Sequence, residues 1–179
     1  ATGFVDDIRG LDARFKLGAQ FAAASIVILS GVVLREFRLP FIGSMRLGVL
    51  SVPATYLWII CIMNFYNFVD GIDGLAAGVG VIGALFIAFM VKSSSLPGLT
   101  VLYAIIAGGG FGFLRYNFPP AKIFMGDTGS TFIGFLFASL AVISNGWGVP
   151  AFVTVLVLGS VFVDAFLTLL RRILNREKI

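Results

Sequence analysis

The chain has 179 residues, of which 59% are hydrophobic and only 12% are charged, and its mean hydropathy is +1.03. Soluble domains contain roughly 45–50% apolar and about 25% charged residues, so this composition excludes an ordinary water-soluble domain. The chain has no histidine, which excludes imidazole bases and histidine-ligated metals from this segment, and its one cysteine cannot form an internal disulfide. The net charge of +4 does not indicate nucleic-acid binding, because the basic residues lie between apolar stretches.

Six apolar runs approach the length of a transmembrane helix, which needs about 20 residues in a range of about 17–25. In chain order they are 17–34, 47–69, 75–91, 99–114, 129–143 and 148–170, of which the fifth is short. They predict an all-α integral membrane protein, a polytopic bundle of about six transmembrane helices. No repeat or linker divides the chain, so residues 1–179 are expected to form a single membrane-embedded core. The abrupt start and the stop beyond a basic cluster suggest a core that is incomplete at both ends.

The polar connections alternate between the two membrane faces. One face receives residues 1–16, 70–74, 115–128 and 171–179, and the other receives 35–46, 92–98 and 144–147. The first face holds nine of the 13 basic residues, so the positive-inside rule predicts that it is cytoplasmic. The same face holds most of the acids, namely Asp6, Asp7, Asp12, Asp70, Asp73, Asp127 and Glu177. Such a concentration of like charge indicates a role with a cation or a substrate.

The first acidic segment, DDIRGLDARFKL, begins with Asp6 and Asp7. Adjacent carboxylates at a helix end can hold a metal ion, or one of them can act as a base. A solvated turn between two spans explains the pair equally well. Lys16 stands at the start of the next apolar run, where it is either a membrane-flanking lysine or a point charge for a phosphate.

The segment MNFYNFVDGIDGLAAG carries the most specific pattern, because Asn64, Asn67, Asp70 and Asp73 recur at every third position. On an ideal helix a step of three residues falls about 60° short of a full turn, so the last three share a face roughly 120° wide. The two glycines of the motif allow a tight turn or a close approach to a ligand. Polar groups are costly at the lipid boundary, so a purely structural turn does not explain the pattern.

A third segment, FPPAKIFMGDTGSTF, places Asp127, Thr128 and Ser130 at the start of an apolar run. These residues can simply cap the helix. Alternatively, Asp127 binds a metal ion near a helix terminus that favours phosphate. The segment is not a Walker motif, because no lysine follows the glycine. Asp164 lies inside the last span, where pairing with a basic residue is the expected reason for an acid.

The motifs GFVDD, ARFKL, NFVDGIDG and MGDTGS occur in that order along the chain. In this order the sequence resembles the bacterial polyprenyl-phosphate N-acetylhexosamine-1-phosphate transferases, a family that includes phospho-N-acetylmuramoyl-pentapeptide transferase. The segment GSTFIGFLFA is more similar to the members that initiate O-antigen synthesis. The family has additional spans before the first acidic pair and a histidine-rich loop after the last basic cluster, which supports the interpretation that the chain is a fragment.

The resemblance implies an enzyme of the bacterial plasma membrane that transfers a sugar 1-phosphate from a UDP-N-acetylhexosamine to polyprenyl phosphate. It implies release of UMP, a requirement for magnesium, cytoplasmic catalytic loops and a role in cell-wall or lipopolysaccharide biosynthesis. The matching positions are Asp6 and Asp7 as catalytic residues, Lys16, Asn67, Asp70 and Asp73 as substrate-binding residues, and Asp127 with Asp73 as metal ligands. Whether one acid of the first pair is a base or a nucleophile stays open, as does assembly into a homodimer.

Two other classes of function compete with the enzyme. A transporter or channel with an acidic cytoplasmic mouth would place acids along its spans, whereas Asp164 is the one acid within a predicted span. An inactive structural subunit would leave three acidic loops without a role. The resemblance and the position of the acids both favour the enzyme.

Overall fold

The computed structural model of the chain describes Gly3, Asp7 and residues 12–39, 43–92 and 96–159. These residues form mainly α-helices, which we number in chain order. They are α1 (Ala13–Leu29), α2 (Ser51–Val69), α3 (Leu75–Val91), α4 (Pro97–Asn117), α5 (Gly126–Gly146) and α6 (Phe152–Val157). A β-hairpin of strands β1 (Glu36–Leu39) and β2 (Gly43–Arg46) separates α1 from α2, and a 3-10 turn at Gly48–Leu50 leads into α2.

The helical, membrane-spanning class that the sequence predicts is confirmed. Among the described residues, three helical segments are long and apolar enough to cross a membrane, and Leu75–Val91 is a shorter apolar helix. The three are Gly48–Val69, Pro97–Asn117 and Gly126–Gly146. The fifth span is longer than the predicted 129–143, because the helix continues into polar residues at both ends. Residues 160–170 of the sixth predicted span, including Asp164, lie outside the described residues, so the number six stays approximate.

The hairpin is an element that the hydropathy pattern did not predict, since residues 35–46 were expected only to connect two spans. The two strands are antiparallel, with Glu36 opposite Arg46 and Leu39 opposite Gly43. Gly43 adopts a φ of +91°, a left-handed conformation that favours glycine. Strands of four residues give too short an alternation to be distinguished from a loop in sequence.

The core of the bundle forms where α2, α3, α4 and α5 pack together, and α1 packs against α2. Tyr103 and Phe137 are fully buried at its centre. Small residues permit the closest approaches: a Cβ on Gly134 would lie 2.9 Å from the Met63 backbone, and one on Gly110 would lie 2.9 Å from Val81. The helices therefore approach through glycine contacts, as expected for packing inside a membrane.

The bundle has two distinct ends. At one end, which we call the acidic end, the starts of α1, α3 and α5 meet the ends of α2 and α4, as the contacts Lys16–Asp127 and Gly74–Asn117 show. At the other, the hairpin end, Asn145 at the end of α5 donates a hydrogen bond to the Glu36 carbonyl at 2.9 Å. These contacts bring parts of 1–16, 70–74 and 115–128 together at one end, and parts of 35–46 and 144–147 together at the other, as the alternation of faces predicted.

Candidate active site

Asp127 lies in the first turn of α5 and links three helices at the acidic end. Its Oδ2 accepts a hydrogen bond of 2.7 Å from the ammonium of Lys16, at the start of α1. Its Oδ1 accepts one of 3.0 Å from the amide of Asn67, and the same amide donates to the buried Ser130 hydroxyl at 2.9 Å. The Lys16 and Asp127 side chains remain 40% and 32% exposed, so a ligand at this end can reach both.

Asp7 caps the start of α5 from a distant part of the chain. Its carboxylate accepts the N–H groups of Asp127 and Thr128 at 2.9 and 3.2 Å, and the Thr128 hydroxyl at 2.7 Å. Gly126 makes room for it, because a Cβ there would lie 3.1 Å from the Asp7 oxygens, and its φ of +64° also favours glycine. The Thr128 hydroxyl, followed by the two N–H groups, lowers the pKa of Asp7, so this carboxylate is ionised and is a weak base.

Asp70 follows the last residue of α2 and behaves in the opposite way. Burial raises its pKa to about 6, and the negative charges of Asp127 and Asp7 add to the increase, while a hydrogen bond from the Gly126 N–H opposes it. Three carboxylates from three separate segments therefore lie close enough to interact. The charge of Asp70 therefore changes near pH 6, which is the behaviour of a functional carboxyl group.

Asp73 connects the α2–α3 turn to the segment between α4 and α5. Its Oδ2 accepts the Ala121 N–H at 3.0 Å. Alongside, the Asn117 side chain accepts the Gly74 N–H at 3.0 Å and donates to the Ile123 carbonyl at 2.9 Å. Gly74 has a φ of +74°, which accounts for the glycine that follows Asp73 in the sequence. This network fixes the turn that carries Asp70 and Asp73.

A groove descends from the Lys16–Asp127 pair between α1, α2 and α5. Its cavity has a volume of about 230 Å³. Polar groups line the upper part, and Ala19, Ala23 and Met63 line part of its wall. Inside it, the amides of Gln20 and Asn64 exchange hydrogen bonds of 3.2 and 2.8 Å. A charged mouth above a partly apolar groove suits a ligand that has an anionic head and a hydrocarbon tail.

Residues 1–145 match the sequence profile of glycosyl transferase family 4. The match covers all three acidic motifs and most of the chain. The chain belongs to glycosyl transferase family 4.

Individual members of the family are similar over most of this chain. A probable undecaprenyl-phosphate N-acetylglucosaminyl 1-phosphate transferase of Bacillus subtilis (strain 168) is 38% identical over 181 residues, which is 99% of this chain and 51% of that protein. The decaprenyl-phosphate N-acetylglucosaminephosphotransferase of Mycobacterium tuberculosis (strain ATCC 25618 / H37Rv) is 41% identical over 156 residues, 80% of this chain and 38% of that protein. The chain therefore spans about half or less of the length of these curated relatives.

The peptidoglycan branch of the family is similar as well. A phospho-N-acetylmuramoyl-pentapeptide-transferase of Caldanaerobacter subterraneus subsp. tengcongensis is 38% identical over 154 residues, 80% of this chain and 49% of that protein. Similar identities to proteins with different sugar donors in their names mean that overall identity does not select one sugar. The names of the first two relatives share a polyprenyl phosphate, which is undecaprenyl phosphate in one and decaprenyl phosphate in the other.

The oxygen-rich acidic end fits the magnesium ion that the resemblance implies. Within the described residues, no three Asp, Glu or Cys side chains converge to hold a metal ion. Magnesium does not need such a cage, since it is commonly bound through one or two carboxylates and the substrate phosphates. The raised pKa of Asp70 beside two further carboxylates marks a place where a cation would stabilise the ionised form.

The structure brings together most of the residues that the sequence singled out. Asp7, Lys16, Asn67 and Asp127 form one hydrogen-bonded network, and Asp70 adjoins it through Gly126. Asp73 instead binds the α4–α5 connection, and Asp6 lies outside the described residues. The roles of these residues in catalysis, substrate binding and metal binding stay predictions.

Sequence reasoning missed two polar residues of this region. Gln20 pairs with Asn64 inside the groove, and Asn117 fixes the Gly74 turn. A signal for Gln20 was present, because it is a lone amide within an apolar helix, where polar side chains are costly. Asn117 gave no such signal, since it stands at a helix end among other polar residues.

Proposed function

We propose that the protein containing this chain transfers an N-acetylhexosamine 1-phosphate from a UDP-sugar to polyprenyl phosphate and releases UMP. The observation that carries this proposal is the Lys16–Asp127 pair at the mouth of the groove. The Lys16 ammonium offers a positive charge to a phosphate at the point where a lipid chain can enter the groove between α1, α2 and α5. The names of the relatives support the same acceptor, because they include undecaprenyl phosphate and decaprenyl phosphate.

The reaction is a displacement at phosphorus between two anions. An oxygen of the lipid phosphate bonds to the phosphorus attached to the sugar. The bond from that phosphorus to the bridging oxygen breaks, and UMP leaves with the electron pair. Repulsion between the reactants has to be offset by positive charge, and the Lys16 ammonium is placed to supply part of it. A magnesium ion held at Asp127 and Asp73, or at Asp70, would neutralise the phosphates further.

The lowered pKa of Asp7 favours direct attack by the lipid phosphate. Asp7 is tied to the start of α5 by three hydrogen bonds, and a carboxylate held in this way is a weak proton acceptor and a hindered nucleophile. A phosphate monoester has a second pKa of about 6, so it is already largely ionised at neutral pH. On this proposal Asp7 positions Asp127 and the N-terminus of α5, and a covalent phosphosugar-enzyme does not form.

Asn67 and Ser130 serve to orient Asp127. The Asn67 amide bonds both residues, and the Ser130 hydroxyl in turn donates to the Gly126 carbonyl at 2.7 Å. This leaves the carboxylate of Asp127 with a fixed direction toward the mouth of the groove. Asp70, which titrates near pH 6, is the group best suited to accept a proton from a monoprotonated lipid phosphate.

The proposed location is the bacterial plasma membrane, with the acidic end facing the cytoplasm, where UDP-sugars are made. The excess of basic residues on that side supports this orientation. The product would enter cell-envelope polysaccharide synthesis. A transporter or channel is less well supported, because among the described helices Asp127, in a first helical turn, is the one Asp or Glu.

The test uses the full-length protein in detergent with UDP-N-acetylglucosamine and a short-chain polyprenyl phosphate. UMP release should require the lipid acceptor and should stop when EDTA removes magnesium and resume when magnesium is restored. UDP-N-acetylgalactosamine and UDP-N-acetylmuramoyl-pentapeptide, offered in parallel, identify the sugar. Equal UMP release with and without the lipid would contradict the proposal.

A further inference from the structure

The hairpin end, opposite the candidate active site, contains a cavity with a volume of about 870 Å³. Small-molecule sites commonly occupy about 300–1,000 Å³. The cavity lies between the segment that follows α1, the hairpin and the end of α5. Its lining includes Val33, Arg35, Arg46, Val142 and Trp147.

Two buried polar side chains hold the segments around the cavity in place. The fully buried Thr55 side chain accepts the Leu34 N–H at 2.9 Å, which fixes the chain just before the hairpin. Asn145, which is 2% exposed, donates to the Glu36 carbonyl at 2.9 Å and accepts the Ala151 N–H at 3.1 Å. The hairpin and the residue before it are thereby held to the start of α2 and to the end of α5.

The charge of the cavity is positive. Arg35 and Arg46 both line it and are exposed, and among the described residues no carboxylate forms a salt bridge with either. The backbones of the two arginines are neighbours across the hairpin, because Arg46 lies opposite Glu36 and the Leu47 N–H bonds the Arg35 carbonyl at 2.9 Å. Glu36 also lines the cavity, but Arg38 neutralises its carboxylate. Two guanidinium groups therefore remain for an anion.

The remaining wall is apolar and lies at the end of α5, where a helix of this length would reach the membrane surface. Val32, Val33 and Ile143 form part of it. Trp147 is half-exposed directly after α5, one of the helices long enough to span a membrane. Tryptophan is enriched at this level of membrane proteins. Arginines above an apolar wall suit a head group that is still attached to its hydrocarbon chain.

We propose that this cavity binds the anionic phosphate head group of a membrane lipid, with the arginines on the phosphate and the lipid chain along the valines. The site is separate from the candidate active site, since it lies at the other end of the same helices. It does not depend on the transfer reaction. The ligand class is a phosphodiester or phosphomonoester lipid, and free inorganic phosphate is the alternative source that the test separates.

The test measures quenching of tryptophan fluorescence in the full-length protein in nanodiscs, with Trp58 and tryptophans outside this chain replaced by phenylalanine. Trp147 is then the reporter, because the chain has two tryptophans. Dibrominated phosphatidylglycerol is titrated into phosphatidylcholine and compared with dibrominated phosphatidylcholine. The wild type should bind the anionic lipid in preference to the zwitterionic one. Arg35→Gln and Arg46→Gln should each lower that preference by about fivefold, the share expected for one basic residue beside an anionic head group.

Lys92→Gln is the matched control. It removes one positive charge after α3 at the same end of the bundle, but Lys92 does not line the cavity. Its effect should stay below about twofold. No preference in the wild type, or an equal loss in Lys92→Gln, would overturn the proposal. Displacement of the brominated lipid by millimolar inorganic phosphate would show a small-anion site and overturn the assignment to a lipid. Native mass spectrometry of the same variants, counting retained phosphatidylglycerol, provides a second readout that does not require the Trp58 replacement.

Discussion

Lys16 and Asp127 are 111 positions apart in the chain, yet their side chains form an ion pair of 2.7 Å where the first turns of α1 and α5 meet. Each end of the pair is also held by its helix: Lys16 by the turn that Asp12 caps, and Asp127 by the turn that Asp7 caps. The pair is partly exposed, so its contribution to stability is small. The pair instead serves to hold an ammonium group and a carboxylate side by side at the mouth of the groove.

The first prediction concerns Asp127. Asp127→Asn keeps the size of the side chain but removes the negative charge that faces Lys16, so turnover in the full-length enzyme should fall by roughly 10²–10³-fold. UMP release measures the change. Membrane insertion and the amount of folded protein should match the wild type.

Asp12→Asn is the control for that substitution. Asp12 lies at the same end and accepts the Arg14 N–H at 2.9 Å, a capping role that asparagine performs as well. It makes the same change of charge outside the Asp127 network and should retain turnover within about twofold. Equal losses in the two variants would assign the effect to general electrostatics and count against a specific role for Asp127.

The second prediction concerns the cap that Asp7 forms. Thr128→Val preserves the shape of the side chain and removes the 2.7 Å hydroxyl hydrogen bond, so the free energy of unfolding should fall by about 1 kcal/mol at neutral pH. The folded-state pKa of Asp7 is lowered, so this stability is present above the unfolded-state pKa and lost as the pH falls through the folded-state value. The loss in the variant should therefore vanish in strong acid.

Thr100→Val serves as the matched control, measured in the same thermal or denaturant unfolding experiment. Within the described part of the chain, the Thr100 hydroxyl is buried without a hydrogen-bond partner. Its removal should be neutral or stabilising. A larger destabilisation from Thr100→Val than from Thr128→Val would argue against the cap.

The end of α2 and both limits of α3 match the predicted spans, because apolar composition and membrane thickness determine them, whereas a 3-10 turn delays the start of α2 from the predicted 47 to Ser51. The residues of the acidic end were also predictable, since Asn67, Asp70 and Asp127 are polar where lipid excludes polarity. Their individual partners were not predictable. The contact of Asp7 with Thr128 joins positions 121 apart, and no local pattern encodes it.

Two other features of the structure were not predicted: the space that a glycine leaves for a distant side chain, and a hairpin of short strands. Gly126 reads in sequence as part of a helix-capping segment, yet its lack of a side chain is what admits the Asp7 carboxylate. The hairpin of Glu36–Leu39 and Gly43–Arg46 is too short to give a period-2 signal. The cavity at the hairpin end depends on both strands and could not be inferred from the charges alone.

The third prediction is a dependence on pH. The folded-state pKa of Asp70 is raised to about 6 from 3.8, so its contribution to stability is greatest below the unfolded-state value and is lost as the pH rises through about 6. Asp70→Asn removes this dependence. Relative to the wild type, the variant should gain stability between pH 4.5 and pH 7.5, as measured by thermal unfolding without divalent metal. Parallel pH curves for the two proteins would show that Asp70 titrates normally.

The fourth prediction concerns orientation in the membrane. In a Cys61→Ala background, a cysteine at Lys122 should react with a reagent confined to the cytoplasmic side, and one at Ser44 should react with an external reagent. Both residues are exposed, and they lie at the acidic and hairpin ends. Membrane-impermeant maleimides applied to cells and to inverted vesicles make the comparison. Reaction of both cysteines from one side would refute the arrangement.

The most direct test of the central claim follows one phosphorus atom. The full-length enzyme is supplied with polyprenyl phosphate and a UDP-sugar that is ³²P-labelled at the phosphate next to the sugar. In transfer of a sugar 1-phosphate, the label moves into the organic-phase lipid in a 1:1 ratio to unlabelled UMP, and none stays on the protein when the lipid is withheld. Release of labelled UDP with unlabelled glycolipid, or a labelled protein in the absence of lipid, would contradict the account.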